Sequence, residues 1–183
     1  MLNVPNAITL LRFALIPPLV LQMLERDYGT ALVLFVVSAL SDLADGLVAR
    51  RWHLRTRFGA IADPLADKLT MLTVTLVLAL QDWVPWWFAL AVVMRDVVIV
   101  SGAIAYHLLI GKVEMAPSGL SKLNTALEFL LLASVLAIGA GRLDGGAWWH
   151  LLLLITLVSV VLSGVQYVLV WSRKAAQARR APR

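Results

Sequence analysis

Four of the chain's 11 acidic residues, Asp42, Asp45, Asp63 and Asp67, fall within one short stretch. Asp42 and Asp45 are three apart and Asp63 and Asp67 four apart, so each pair shares one face if its segment is helical. Converging carboxylates raise one another's pKa, and a low-dielectric surrounding adds to the cost of ionising them. Basic neighbours can compensate that charge, and so can metal ions. An all-oxygen donor set with no cysteine in the chain and no histidine cluster favours Mg²⁺ or Mn²⁺. Four carboxylates can hold two such ions, the arrangement that serves in-line phosphoryl displacement. The competing reading is structural: Asp42 and Asp45 pair with Arg50, Arg51 or Lys68, and Asp63 only caps a helix. It leaves the clustering of costly acids in an apolar chain without a cause.

The elements that must position these residues are membrane helices. The 183 residues are 61% hydrophobic and only 15% charged, far from the roughly half-apolar, quarter-charged composition of soluble domains. A span needs about 20 mostly apolar residues. Six candidates run from Ala7 to Leu24, Tyr28 to Arg50, Ile61 to Leu80, Trp83 to Ile110, Leu120 to Ala140 and Ala147 to Trp171. Asn6 is the expected N-cap of the first and Asp63 of the third, with Pro64 in that helix's first turn. Short connections make neighbours antiparallel. The expected fold is therefore an all-α membrane bundle, one domain over residues 1–183 with a basic tail at 173–183.

The basic residues sort by side. Arg12, Arg50, Arg51, Arg55, Arg57, Lys68, Lys112, Lys122 and the tail fall on one side, and only Arg26 and Arg142 on the other. By the positive-inside rule both termini and the aspartates face the cytoplasm. Arg12 is close enough to that edge to snorkel, and the tail suits anionic headgroups. Tryptophans 83, 86, 87, 148, 149 and 171 sit at span ends, where an aromatic belt belongs. The net charge of +5 is distributed along membrane edges and does not point to nucleic acid. The N-terminus lacks a cleavable signal pattern, so the first apolar stretch is read as retained. His53, His107 and His150 share no spacing that would unite them and are read as non-catalytic. Arg95 falls inside the fourth span, where an arginine is costly. It either pairs with Asp96 or Glu128, or forms an anion site with Lys122.

The segment Asp42-Leu-Ala-Asp45-Gly46-Leu-Val-Ala49-Arg50, followed by Gly59, Asp63 and Asp67 at spacings of eight, three and three residues, resembles the signature of the CDP-alcohol phosphatidyltransferases at every position. The resemblance implies that Asp42, Asp45, Asp63 and Asp67 bind the metal ions and that Asp67 is also the general base. It would deprotonate an alcohol, which attacks the β-phosphorus of a CDP-linked lipid and expels CMP. Gly46 and Gly59 would border the CDP-lipid, with Arg50 and Thr56 on its phosphates or ribose and Asn6, Ala7 and Ile8 touching the nucleotide. The family also implies a homodimer in a bacterial-type inner membrane.

Outside the signature, Asn3 to Arg12 and Ala62 to Lys68 look like the branch making anionic glycerophospholipids. Arg95-Asp96 and the stretch from Pro117 to Ala126, with Glu128, look more like CMP-forming cardiolipin synthases than phosphatidylglycerophosphate synthases. This makes phosphatidylglycerol or glycerol-3-phosphate the expected acceptor, with Arg95, Lys122 and Arg173 as candidate contacts to its phosphate. A small ion or proton transporter is the alternative from another class. Its acids would be spread through the bilayer, and its helices interrupted in paired halves. A non-catalytic scaffold is a third reading, and it leaves the aspartates unexplained.

Overall fold

A computed structural model describes the backbone of residues 4–52, 57–109 and 118–180, and the side chains of residues 10–41, 65–105 and 118–174. Among the described residues the fold is entirely helical. The helices are α1 (Val4–Leu24), α2 (Tyr28–Trp52), α3 (Arg57–Leu80), α4 (Trp86–Leu109), α5 (Gly119–Gly139) and α6 (Ala147–Arg180). The shortest has 21 residues, about 31 Å at 1.5 Å per residue, which matches a bilayer's hydrocarbon core. Among the described residues, Trp86–Ala105, Gly119–Gly139 and Ala147–Lys174 are long and apolar enough to cross a membrane, and the chain is a membrane protein.

Several helix ends differ from the sequence reading. Helix α1 begins at Val4, so Asn6 is a helical residue and not the N-cap. Helix α3 begins at Arg57, which places Asp63 and Pro64 inside the helix and removes the expected cap. Helix α6 runs through Arg180, so most of the basic tail extends the last helix. The extension of α6 follows its Lys, Ala, Gln and Arg residues, which are strong helix formers. Trp83 sits in the turn before α4.

The chain divides into two compact units: residues 1–84 with 132–146, and residues 85–131 with 147–183. In the first, α1 packs on both α2 and α3, and α2 touches α3. Leu19, Met23, Ala31, Phe35, Val74 and Leu78 form its core. The turns at one end are locked by side chains. Asp27 caps α2, its Oδ1 accepting from the Thr30 N–H at 3.0 Å, after Arg26 has reversed the chain in the left-handed region (φ 62°). Bonds from the Thr30 hydroxyl and N–H hold the Asp27 carboxyl below its ordinary pKa. Trp83 Nε1 donates to the Tyr28 hydroxyl at 2.7 Å. That hydroxyl donates to Gln81 Oε1 at 3.1 Å, and Gln81 Nε2 donates to the Met23 carbonyl at 2.7 Å. Gly139 lies against the Tyr28 ring, where a Cβ would come within 2.8 Å of two ring carbons. Trp83 is thus a structural clamp.

In the second unit α4 packs on α6. Trp171 is buried rather than belt-exposed, seated on Gly102, where a Cβ would lie 2.7 Å from its Nε1. Residues 118–131 are joined to α6 by polar contacts: Ser118 Oγ donates to Gln166 Oε1 and Ser159 Oγ to Asn124 Oδ1, each at 2.8 Å. Such bonds substitute for the hydrophobic drive that helices lack when lipid surrounds them.

Candidate active site

The signature lies on two consecutive helices of the first unit. Asp42, Asp45, Gly46 and Arg50 are residues of α2, and Gly59, Asp63 and Asp67 of α3. On α2, Tyr28, Ala31, Phe35 and Ser38 are buried. In α3, Ala66, Thr70 and Val74 are buried. Both helices are continuous through the motif, so the three- and four-residue spacings keep each aspartate pair on one face. The side chains of Asp42, Asp45, Gly46, Arg50, Gly59 and Asp63 lie outside the described residues, as do those of Asn6, Ala7 and Ile8, and all of Thr56.

Asp67 is described and half-buried, one position past the fully buried Ala66. The Thr70 hydroxyl donates to the Ala66 carbonyl at 2.9 Å, which turns that polar group onto its own backbone. Lys68 is half-buried beside it. Arg12, at 1% exposure, is fully buried on the helix that packs against both α2 and α3. It does not snorkel: a guanidinium out of contact with solvent needs charge or hydrogen-bonding compensation from the protein. The sequence reading did not anticipate the burial of Arg12. The available signal was a lone arginine eight residues inside an apolar helix.

Arg95 in the second unit is buried at 7% exposure. Its Nη1 pairs with Asp96 Oδ1 at 2.8 Å, and its Nη2 donates to Ser121 Oγ at 3.0 Å and Ser163 Oγ at 3.2 Å. The partner is therefore Asp96 and not Glu128, whose Oε2 instead accepts from Asn124 Nδ2 at 3.4 Å. Lys122 and Arg173 are exposed, and the Arg95 guanidinium bonds to Asp96, Ser121 and Ser163 instead of meeting either. One carboxylate and two hydroxyls thus hold both terminal nitrogens of the buried Arg95 guanidinium, and its Nε is buried without a hydrogen-bond partner among the described residues. Of the histidines, His53 and the side chain of His107 lie outside the described residues, and exposed His150 stacks on Trp149 with ring centroids 4.0 Å apart.

The family profile of the CDP-alcohol phosphatidyltransferases matches residues 2–162. A Mycobacterium tuberculosis protein described as a candidate cardiolipin synthase is 43% identical over 98 residues, covering 52% of this chain and 46% of that protein. The human CMP-forming cardiolipin synthase is 27% identical over 181 residues, 90% of this chain and 60% of its own. The CDP-diacylglycerol–glycerol-3-phosphate 3-phosphatidyltransferase of Pectobacterium atrosepticum is 37% identical over 140 residues, 73% of this chain and 76% of its own. The chain spans about half the length of the mycobacterial relative and three fifths of the human one.

Proposed function

The chain belongs to the CDP-alcohol phosphatidyltransferase family, and from that premise we propose that it transfers a phosphatidyl group from CDP-diacylglycerol to an alcohol, releasing CMP. The observation that carries this reading is the eight-residue signature of Asp42, Asp45, Gly46, Ala49, Arg50, Gly59, Asp63 and Asp67, placed on two touching helices. The four aspartates fit hard divalent cations, Mg²⁺ or Mn²⁺, because every donor is a carboxylate oxygen. Such ions, when bound, neutralise the pyrophosphate and stabilise charge on the departing nucleotide.

The chain's own residues do the rest. The Asp67 carboxylate takes the proton of the acceptor hydroxyl. The freed oxygen forms a bond to the β-phosphorus, and the bond to the bridging oxygen breaks, leaving with CMP. A carboxylate of ordinary basicity suffices when it is within hydrogen-bond reach of the hydroxyl. Gly46 and Gly59 leave room for the nucleotide, Arg50 and Thr56 bind its phosphates or ribose, and Asn6 to Ile8 border it. Arg95, with Lys122 and Arg173 nearer the edge, binds the acceptor's phosphate. Phosphatidylglycerol is the favoured acceptor and glycerol-3-phosphate the second, on the Arg95-Asp96 and Asn124/Glu128 pattern. The enzyme has six spans, cytoplasmic termini and a cytoplasm-facing site in a bacterial-type inner membrane, as a homodimer.

The test is CMP release by purified protein from CDP-diacylglycerol, with Mg²⁺ or Mn²⁺ and each acceptor in turn. Release with phosphatidylglycerol or glycerol-3-phosphate, abolished by chelation and restored by metal, supports the reading. Folded protein that releases no CMP with any acceptor removes it.

A further inference from the structure

An apolar groove of about 400 Å³ runs along the contact of α4 with α6, lined by Ala91, Met94 and Val98 on one side and Val161, Val165 and Leu169 on the other. Both helices are apolar enough to cross a membrane, and Met94, Val161 and Val165 are each about half exposed, so the groove opens on the exposed apolar face of the helix pair. Its floor is unusual in containing Arg95 and Gly164. A Cβ at position 164 would lie 3.7 Å from Arg95 Cγ, so glycine there keeps the groove open down to the arginine's methylene stem. The stem lines the groove while the guanidinium turns to Asp96, Ser121 and Ser163.

We propose that this groove seats an acyl chain of the lipid that accepts the phosphatidyl group. The inference rests on the transferase reading and on Arg95 as the acceptor's anion site. One side chain joins an apolar slot to a polar cluster, the juxtaposition that a phospholipid presents between its chain and its phosphate. A water-soluble glycerol phosphate has nothing to place in the slot.

The experiment measures KM for dioleoyl-phosphatidylglycerol, dihexanoyl-phosphatidylglycerol, glycerol-3-phosphate and CDP-diacylglycerol, in the full-length wild type and in Gly164→Leu. Filling the groove is expected to raise KM for the dioleoyl acceptor about tenfold, equivalent to about 1.4 kcal/mol. The short-chain acceptor should shift less, and the CDP-lipid KM should stay at its wild-type value. Val161→Phe fills the rim and carries the same expectation should Gly164→Leu fail to fold. Equal rises for donor and acceptor, or a rise for the donor alone, overturn the proposal. So does an unchanged acceptor KM with an altered oligomeric state by light scattering, which would assign the groove to a second copy. Wild-type turnover with glycerol-3-phosphate but not phosphatidylglycerol overturns it while leaving the transferase reading intact. No CMP with any acceptor removes both.

Discussion

Replacing Arg95 with Met keeps an unbranched apolar stem along the groove but deletes the ion pair to Asp96 and the donors to Ser121 and Ser163. Asp96 retains only 16% side-chain exposure, so its carboxylate loses a close partner in a site with little water to replace it. Breaking one side of a buried pair costs about 3–5 kcal/mol. Asp96 keeps some solvent contact, which puts the expectation at the lower end, about 3 kcal/mol. Asp96→Asn alone should cost less, since Arg95 keeps both serine hydroxyls. The double variant should fall short of the sum by about 1–2 kcal/mol, because each single variant already removes the Arg95–Asp96 pair. Unfolding in detergent across this cycle reads the coupling, and CMP release reads the function. The acceptor KM should rise at least tenfold in Arg95→Met, the CDP-lipid KM staying near wild type. Additive stabilities would refute the pair, and equal losses for donor and acceptor would refute the anion site.

Gly139→Ala forces a Cβ to within 2.8 Å of the Tyr28 ring and should destabilise the protein by about 1–3 kcal/mol, read as a lower unfolding midpoint with retained KM values. Ser159→Ala removes the donor to Asn124 across α5 and α6 and should cost only about 0.6 kcal/mol, the typical strength of such bonds in a membrane. Asp27 has a depressed folded-state pKa, so its cap contributes fully above the ordinary carboxylate range and fades as pH falls through the lowered value. Wild-type unfolding followed from neutral to acid pH should show that loss, and Asp27→Asn should flatten it.

The helices that carry the aspartates were legible because helical periodicity is a local property: α2 and α3 contain the two pairs, and three- and four-residue separations share a face in any helix, whichever residue starts it. The helix starts were less legible. Asn6 and Asp63 have good capping chemistry, but both helices begin earlier, at Val4 and Arg57. Arg12 shows a different limit. Its distance from the apparent membrane edge fits snorkelling, yet its burial follows from α1 packing on both α2 and α3, which only the tertiary arrangement specifies. Likewise the sequence offered Asp96 and Glu128 as partners of Arg95. Adjacent chain position made Asp96 available, while Asn124 took Glu128. The groove was not legible at all, because it depends on Gly164 meeting Arg95 from another helix.

The most direct test of the central claim is CMP formed from CDP-diacylglycerol and phosphatidylglycerol by wild type and by Asp67→Asn, at saturating metal and substrates. The amide keeps the shape of the half-buried side chain but cannot accept the proton at neutral pH. The account predicts CMP matched one-for-one by phosphatidyl product in wild type, and a loss in kcat of about 10²–10⁴ in the variant, the usual worth of a positioned base. Near-normal turnover by Asp67→Asn would contradict the assignment of the base. Absence of CMP from folded wild type with every alcohol tried would contradict the transferase itself.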